Sequence, residues 1–309
     1  MKALVLFAPL TLAIVACEIV FPGRDFYHYG WFNVALAALV VASVLAARAP
    51  FRAAKTLQYR IAVAAIAFGA AVAGFAGVAS GLLAPDDRVV VGAPGANVRV
   101  DELGGTLAFP LQTAVSGGSL DVVLNRSGRL TAIGAGGAST GTFALRQIPR
   151  DVVYIEAADR RGASLTVTQP NGATFLSPVL LMQQRQKIPD TNLELPFDAF
   201  AVPAAHRNVK AVLFNAQQAA MMHPAAGVQG QAVLFAVDDE DDRPITGAIA
   251  FARNGETADI GGLHLRAESF TYPAIELMAV PSTSAVVLAA LALGAGFLTI
   301  FLRKAEVSA

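Results

Sequence analysis

The sequence predicts an integral membrane bundle of four α-helical spans, arranged three plus one, joined to an extracytoplasmic, mainly antiparallel β domain of sandwich or barrel type. Two observations lead to this fold class. Only 15% of the 309 residues are charged and 55% are hydrophobic, whereas about a quarter of an ordinary soluble chain is charged. The apolar residues also separate into four long, nearly uncharged stretches and one long segment of short β-type runs.

Each of the four stretches has the length that a bilayer requires, since a hydrocarbon core of about 30 Å takes roughly 20 helical residues. The first two, at about 3–20 and 31–47, contain only Glu18 as a charged residue, and the third, at 61–84, contains none. The fourth runs from Thr283 to Leu302. We therefore divide the chain into residues 1–84 with three spans, 85–281 with the β domain, and 282–309 with the last span and a short tail.

The basic residues predict the orientation, because Lys and Arg in short loops next to spans stay in the cytoplasm. The segment 48–60 holds four basic residues and no acidic one, and Lys2 and the pair 303–304 extend the pattern to both ends of the chain. We expect a multi-pass protein of the bacterial cytoplasmic (inner) membrane with both termini and the loop 48–60 in the cytoplasm. Residues 85–281 are then extracytoplasmic.

The zero net charge of the chain is the sum of two opposite parts. Residues 85–278 contain 20 acidic and 15 basic residues, whereas the rest of the chain contains 3 acidic and 8 basic ones. Without a basic excess the chain does not fit a nucleic-acid binder, which must neutralise phosphates. The acidic domain instead favours basic extracytoplasmic partners such as a c-type cytochrome.

Within the β domain, runs of Val, Leu, Thr and Phe alternate with Gly, Pro and Asn, a pattern typical of short antiparallel strands. The Asn-Gly pairs at 171–172 and 254–255 are strong hairpin signals. We predict short helices only at Ala216–Met222 and Val179–Gln186. The runs that predict strands are Val98–Val100, Thr106–Phe109, Leu120–Leu124, Thr142–Leu145, Val152–Ala157, Ser164–Thr168, Val209–Phe214, Ala232–Val237, Ile245–Ala252 and Leu263–Tyr272.

Cys17 is the only cysteine, which excludes a disulfide framework within the chain and any Cys-x-x-Cys motif. The residues from Lys2 to Cys17 also resemble a lipoprotein signal whose cysteine is lipidated. Signal segments are removed from the mature protein, so cleavage would leave three spans. A retained first span remains the alternative.

Small residues recur every fourth position on the third predicted span, at Gly69, Ala73, Gly77 and Gly81. Such a face lets two helices approach closely in lipid. It serves either packing inside this chain's own bundle or docking of another membrane subunit. The small pairs Ala290/Gly294 and Ala292/Gly296 on the last span present the same alternatives.

Three residues are candidate ligands for haem or a metal ion. His28 lies among aromatic residues at the start of the second span, where it could ligate haem or belong to an interfacial aromatic belt. Met222 and His223 place a thioether beside an imidazole, the ligand types that suit Cu(I) or a haem axial position. The alternative for this pair is an ordinary helix end with one side chain in the core.

Five consecutive acidic residues, Asp238, Asp239, Glu240, Asp241 and Asp242, separate two predicted strands. They are either a solvated hairpin tip or a docking surface for a basic partner, whose binding would be sensitive to salt. The sequence contains no recognisable hydrolase, nucleotide-binding or zinc-protease motif. We therefore expect no independent catalytic activity.

Several local motifs resemble the ResB (CcsB) family of system II cytochrome c biogenesis. The run His28-Tyr29-Gly30-Trp31-Phe32 is similar to the aromatic entry of that family's second span. Gly104–Phe109 resembles a segment early in its outer domain, and Phe270–Pro281 resembles its closing strand and turn. The order of three spans, an extracytoplasmic β domain and one final span also resembles the family and covers most of the chain.

The resemblance implies a membrane protein that works with a CcsA-like, haem-handling partner to deliver haem and attach it to apocytochrome c. The family's expected haem ligand is a histidine near the start of the third span. This chain reads Gln58-Tyr59-Arg60-Ile61-Ala62-Val63 there, so a divergent member is implied, with haem as its candidate cofactor. The alternative is a non-catalytic accessory subunit of an electron-transfer or photosynthetic membrane complex, docked through the small-residue faces and the acidic loop.

Overall fold

The computed structural model describes residues 2–21, 25–83, 87–111, 120–187, 194–222 and 230–308. Four of its helices are long and apolar enough to cross a membrane, and they flank a mainly antiparallel β region as the sequence predicts. A short helix lies within the β region and coincides with the predicted one at 216–222. The helices are α1 Lys2–Val20, α2 Gly30–Ala53, α3 Leu57–Leu83, α4 Ala216–Met222 and α5 Thr283–Ser308.

The basic segment predicted as a loop over 48–60 is mostly helical. Helix α2 continues to Ala53 and α3 begins at Leu57, so only residues 54–56 connect them. Alanine and arginine are good helix formers, which extends both helices beyond their apolar stretches. The basic side chains Arg48, Arg52 and Arg60 therefore lie on the ends of the helices that meet at this connection.

Helix α3 is the central helix of the bundle, because it packs against α1, α2 and α5. Its residues Val63, Ile66 and Ala70 are fully buried. They join Leu4 of α1 and Leu293 of α5 in one apolar cluster. Half of the most apolar stretch of α3 is buried inside the protein, which is more than in any of the other three long helices.

The strands form three antiparallel sheets. The order is β1-β17-β7-β10 in the first sheet, β15-β14-β13-β12-β8-β9 in the second and β2-β3-β4-β5 in the third; β6 and β16 flank the first sheet and β11 the second. The strands are β1 Arg88–Val90, β2 Asn97–Val100, β3 Gly105–Ala108, β4 Val122–Arg126, β5 Arg129–Ile133, β6 Ala138–Ser139, β7 Phe143–Asp159, β8 Val167–Thr168, β9 Thr174–Phe175, β10 Val179–Leu180, β11 Gln184–Lys187, β12 Glu194–Val202, β13 Arg207–Phe214, β14 Ala232–Asp239, β15 Pro244–Arg253, β16 Thr257–Ile260 and β17 Leu263–Ala279.

One hydrophobic core buries side chains from the first two sheets, as in a β sandwich. Ile155 of β7 and Leu265 of β17 enter it from the first sheet, and Phe235 of β14 and Val202 of β12 enter it from the second. All four are fully buried. Alternate residues of each strand supply these side chains, since successive residues of a strand point to opposite faces.

All ten predicted runs overlap observed strands, but two predictions in this region are wrong. Val179–Gln186 forms β10 and β11 instead of a helix, because its backbone pairs with β7 and β12. The second wrong prediction is the hairpin at the Asn-Gly pair 254–255, because the two strands on either side of it, β15 and β16, do not pair with each other. This Asn-Gly pair turns the chain from β15 of the second sheet into β16 of the first. The pair at 171–172 does connect two paired strands, β8 and β9.

The chain forms two compact units whose boundaries fall inside strands. The helical unit contains Met1–Val90, Ile133–Gln147 and Ile275–Ala309, so it includes β1, β6, the first residues of β7 and the last of β17. The β unit contains Val91–Ala132 and Ile148–Ala274.

Candidate functional site

One candidate site is an apolar cavity of about 580 Å³ in the helical unit. The aromatic rings of Phe68 and Phe75 on α3 and of Phe143 on β7 line it, and the start of α5 completes it at Ala285. Phe68 and Phe75 are 54% and 74% exposed, so the cavity is open along α3. Its chemistry suits an apolar chain or ring, because few polar atoms line it.

The first half of the small-residue face on α3 packs against the last helix of the same chain. A β-carbon at Gly69 would lie 2.7 Å from the carbonyl oxygen of Ala289 and 2.9 Å from the Leu293 side chain. Ala73, one turn further along α3, is fully buried. The absence of a side chain at Gly69 therefore permits the close approach of α3 and α5.

The second half of that face packs against α1 and α2. A β-carbon at Gly77 would lie 2.8 Å from Leu36 and 2.9 Å from Val15, and one at Gly81 would lie 2.5 Å from the Asn33 side chain. The sequence allows this face either to pack inside the bundle or to dock another subunit. The observed contacts of Gly69, Gly77 and Gly81 are those of packing inside the bundle.

The two small pairs on α5 differ from each other. A β-carbon at Gly296 would lie 2.7 Å from the carbonyl oxygen of Ala62, so this glycine packs against α3. A β-carbon at Gly294 would have no atom within 4 Å, and Ala290 one turn before it is exposed. The face formed by Ala290 and Gly294 is thus open for another helix.

His28 ends a short 3-10 helix that runs from Asp25 to His28 just before α2. Its side chain is half-buried, and aromatic residues lie on both sides of it in the chain. Tyr27 and Phe32 meet edge to face with ring centroids 5.4 Å apart, and Trp31 meets Phe32 at 5.9 Å. Trp31 is 64% exposed, as expected of a ring in an interfacial belt.

The candidate ligands Met222 and His223 lie largely outside the described residues. Met222 is the last residue of α4, but its side chain and the whole of His223 lie outside the described residues. Met221, its neighbour, is 63% exposed. Within the described ranges, no group of three or more His, Cys, Asp or Glu side chains is placed to hold a metal ion.

The five acidic residues occupy the turn between β14 and β15, where several of them have partners. Asp239 accepts hydrogen bonds from the backbone amides of Asp241 and Arg243, both at 2.9 Å. Glu240 lies 2.7 Å from Nδ1 of His206, and Asp242 accepts a 2.6 Å hydrogen bond from the amide of Asn208. Hydrogen bonds and an ion pair within the chain thus occupy several of the carboxylates that a basic partner would otherwise bind.

Cys17 is exposed on α1 and is a free cysteine. The helix runs without interruption past it to Val20. Lipidation of Cys17 stays a prediction.

Sequence reasoning missed a polar cavity of about 320 Å³ in the β unit, lined by Arg150, Asp151 and Arg185 among others. Burial and the nearby charge of Arg185 lower the pKa of Arg150. The two arginines come from β7 and from β11, a segment that we predicted to be helical. Only the strand pairing reveals that they share a cavity.

A second group of residues that sequence reasoning did not connect lies inside the bundle. Glu18 of α1, Asn33 of α2 and Ser80 of α3 are each buried and each has a side-chain oxygen without a hydrogen-bond partner. The charge of Glu18 within an apolar stretch was the one available signal, because ionisable residues inside membrane spans are costly and commonly functional.

Together these features define a protein whose described residues include four helices long and apolar enough to span a membrane and an antiparallel β unit. Comparison of the chain with family models, with curated proteins and with solved structures found no match.

Proposed function

We propose that this chain is a ResB-like membrane protein that supports cytochrome c maturation with a CcsA-like, haem-handling partner. The observation that carries the proposal is the way the β region is inserted between the third and fourth long helices. Strand β1 follows α3, and β17 leads into α5. These two strands pair antiparallel, with Val90 opposite Ile275, so the chain enters and leaves the β region side by side.

Further bonds within the helical unit stabilise this junction. The backbone amides of Val280 and Thr283 donate hydrogen bonds of 3.0 and 2.9 Å to the carbonyl oxygens of Thr142 and Gly141. Arg146 and Glu276 form an ion pair at 2.5 Å. A protein that must present haem next to the membrane benefits from such an anchored junction, because positioning of reactants lowers the barrier to their reaction.

The apolar cavity and His28 are the elements of the helical unit that fit haem chemistry. The cavity is lined by three phenylalanines, and apolar surroundings suit a porphyrin ring. His28 supplies an imidazole at the start of α2, and imidazole is the commonest axial ligand of haem iron. We propose His28 as a ligand during haem transfer and the β unit as the extracytoplasmic surface that apocytochrome c meets.

Genetic complementation tests this proposal. A strain of the source bacterium without this gene should lose the covalent haem staining of its c-type cytochromes, and the wild-type gene should restore it. His28→Ala should fail to restore staining. His206→Ala is the matched control, because His206 is an exposed histidine of the β unit and its replacement should restore staining. Normal cytochrome c levels in the deletion strain would contradict the function, whereas normal activity of His28→Ala would contradict only the role of His28.

The open face of α5 favours a second candidate, an accessory subunit of a membrane electron-transfer complex. Small residues on a lipid-facing helix allow a partner helix to approach closely, and Gly294 has free space around it. Purification in mild detergent should then recover a stoichiometric respiratory or photosynthetic core. Gly294→Leu should release it, while Leu288→Phe should not, because residue 288 lies roughly 120° around the helix from residue 294. Recovery of a CcsA-like protein instead would support the first candidate.

A further inference from the structure

Glu18 is a buried carboxylate near the end of α1. Its residue is only 2% exposed, and neither of its carboxylate oxygens has a hydrogen-bond partner among the described residues. An unpaired charge inside a protein is strongly destabilising even after the surroundings relax. The carboxylate therefore needs a positive species beside it or a proton on it.

Asn33 contributes its amide oxygen, and the hydrogen bonds of its amide nitrogen fix the direction of that oxygen. Its Nδ2 donates to the carbonyl oxygens of Tyr27 at 2.9 Å and Tyr29 at 3.2 Å. These bonds use the donor atoms of the amide and leave Oδ1, which is buried, without a partner. Asn33 thus presents a preorganised acceptor.

Ser80 contributes a third acceptor and differs from three other hydroxyl residues of the long helices. Thr11, Ser43 and Thr299 each donate a hydrogen bond to the backbone carbonyl four residues earlier, at 2.8 to 2.9 Å. This is the usual way in which a hydroxyl is satisfied inside a helix. The Ser80 hydroxyl makes no such bond and instead approaches the Glu18 carboxylate, without the alignment of a full hydrogen bond.

The helix contacts place the three side chains at a common level of the bundle. Val15 and Leu36 both pack at Gly77. Glu18, Asn33 and Ser80 lie three residues from Val15, Leu36 and Gly77 respectively, about one helical turn further in the same direction along the bundle. Gly81, beside Ser80, leaves the space that the Asn33 side chain fills.

The group formed by Glu18, Asn33 and Ser80 has more free hydrogen-bond acceptors than donors. It contains four unpartnered oxygens, Oε1 and Oε2 of Glu18, Oδ1 of Asn33 and Oγ of Ser80. When Glu18 is ionised, the Ser80 hydroxyl hydrogen is the only donor that these three side chains still offer. Oxygen atoms are the ligands that hard cations prefer. We propose that Glu18, Asn33 and Ser80 form a binding site for one monovalent cation, a proton or a sodium ion, inside the helical bundle.

Other charged groups of the packed elements lie away from this site. The described titratable residues nearest to it in the chain are Cys17, which precedes Glu18 and is exposed, and Tyr27, His28 and Tyr29, which precede Asn33. Among the described side chains of the four long helices, the basic ones are Lys2, Arg48, Arg52, Arg60 and Arg303. Residues 48 and 60 are separated from Asn33 and Ser80 by 15 and 20 helical positions, which is roughly 20 to 30 Å, and Arg303 bonds to Thr56 beside them.

Carbodiimide labelling of the full-length protein tests the site and does not depend on the proposed function. Dicyclohexylcarbodiimide adds to protonated carboxyl groups in apolar surroundings, and peptide mass spectrometry locates the adduct. We expect labelling of Glu18 to fall as the pH rises, because only the protonated carboxyl group reacts. At a fixed pH, sodium chloride should slow labelling relative to choline chloride if the site also accepts Na⁺. Equal rates in both salts identify the proton as the sole ligand.

Substitutions of the residues around Glu18 distinguish a cation-binding site from an isolated buried carboxyl group. Ser80→Ala and Gly81→Ala remove or displace an oxygen beside Glu18 and should shift the pH profile of labelling. Ser43→Ala is the matched control, because its hydroxyl is satisfied within its own helix, and it should leave the profile unchanged. Thermal unfolding provides a second readout: Glu18→Gln should fold and lose the cation dependence of the melting temperature. Absence of labelling at every pH, or profiles unaffected by Ser80→Ala and Gly81→Ala, would overturn the proposal.

Discussion

His264 and Asp259 face each other across the pair of strands β16 and β17. They are opposite partners in the strand register, and Nδ1 of His264 contacts Oδ1 of Asp259. Hydrogen bonding to this carboxylate raises the pKa of His264 above its ordinary 6.5. The protonated histidine is thus stabilised in the folded state, and the stabilisation is lost as the pH rises through the raised pKa.

We expect the ring protons of His264 to titrate above pH 6.5 in the NMR spectrum of the folded protein. Asp259→Asn should lower that titration midpoint and remove the extra stability that the pair provides below the raised pKa. His264→Gln identifies the signal. A midpoint unchanged by Asp259→Asn would show that the pair does not set the protonation of His264.

Tyr272 joins two segments of the β unit through its hydroxyl group, which donates a hydrogen bond to the carbonyl oxygen of Pro110. The residue is 2% exposed, and its ring stacks near that of Phe109 with centroids 6.4 Å apart. Burial raises the pKa of Tyr272 to about 12. The phenol therefore stays protonated and keeps its bond throughout the physiological range.

Tyr272→Phe should lower the free energy of unfolding by about 1 kcal/mol, because it removes one buried hydrogen bond. The carbonyl oxygen of Pro110 keeps its other hydrogen bond, from the backbone amide of Gly95. Thermal unfolding followed by circular dichroism measures the effect. Tyr154→Phe serves as a control, since the Tyr154 hydroxyl is only partly buried and bonds at 3.3 Å to Glu156. Equal effects of the two substitutions would contradict the importance of the Tyr272 bond.

At the scale of elements, α3 controls the packing of the long helices. Its glycines lie where α1, α2 and α5 come closest, as the contacts at Gly69, Gly77 and Gly81 show. Since lipid supplies no hydrophobic force between helices, close backbone contact is a principal source of their association. The regular spacing of the small residues could be seen in the sequence, but their partners could not.

Gly69→Val should destabilise the bundle by about 1 to 3 kcal/mol, the usual cost of overpacking. Its new side chain would meet the backbone of Ala289. Gly294→Val is the matched control, because it makes the same change on α5 where no atom lies within 4 Å. Thermal unfolding in detergent should separate the two variants, and a Gly294→Val variant as unstable as Gly69→Val would contradict the packing argument.

At the scale of the whole molecule, the distribution of charge predicts which side of the membrane each segment occupies. Basic residues gather where α2 meets α3 and near the end of α5, while the turn between β14 and β15 is acidic. The basic side chains should therefore lie in the cytoplasm and the acidic turn outside it.

Cysteine labelling in intact cells tests this orientation. In a Cys17→Ser background, Asp241→Cys should react with a membrane-impermeant maleimide, whereas Lys55→Cys should react only after the cells are opened. Both positions are exposed in the structure, so accessibility to the reagent depends on the side of the membrane. Labelling of Lys55→Cys in intact cells would reverse the orientation.

The sequence by itself determined the four long helices and most strands, because span length, missing charge and alternating β-type runs are local properties. It also identified α4 at its observed bounds. It predicted a helix where β10 and β11 lie, and it missed β1, β5, β6, β9, β12 and β16. Segments such as β11, which is entirely polar, and β12, which contains Pro196, are strands because neighbouring strands supply their hydrogen bonds.

Only the tertiary structure decided which side chains share a site. Glu18, Asn33 and Ser80 stand on three different helices, and Arg150 and Arg185 stand on strands far apart in the chain. Packing brings each group together, and no short-range pattern records it. The same holds for the glycines of α3 and α5: identical spacing in the sequence produced a buried contact at Gly296 and an open face at Gly294, because only one side of α5 meets α3.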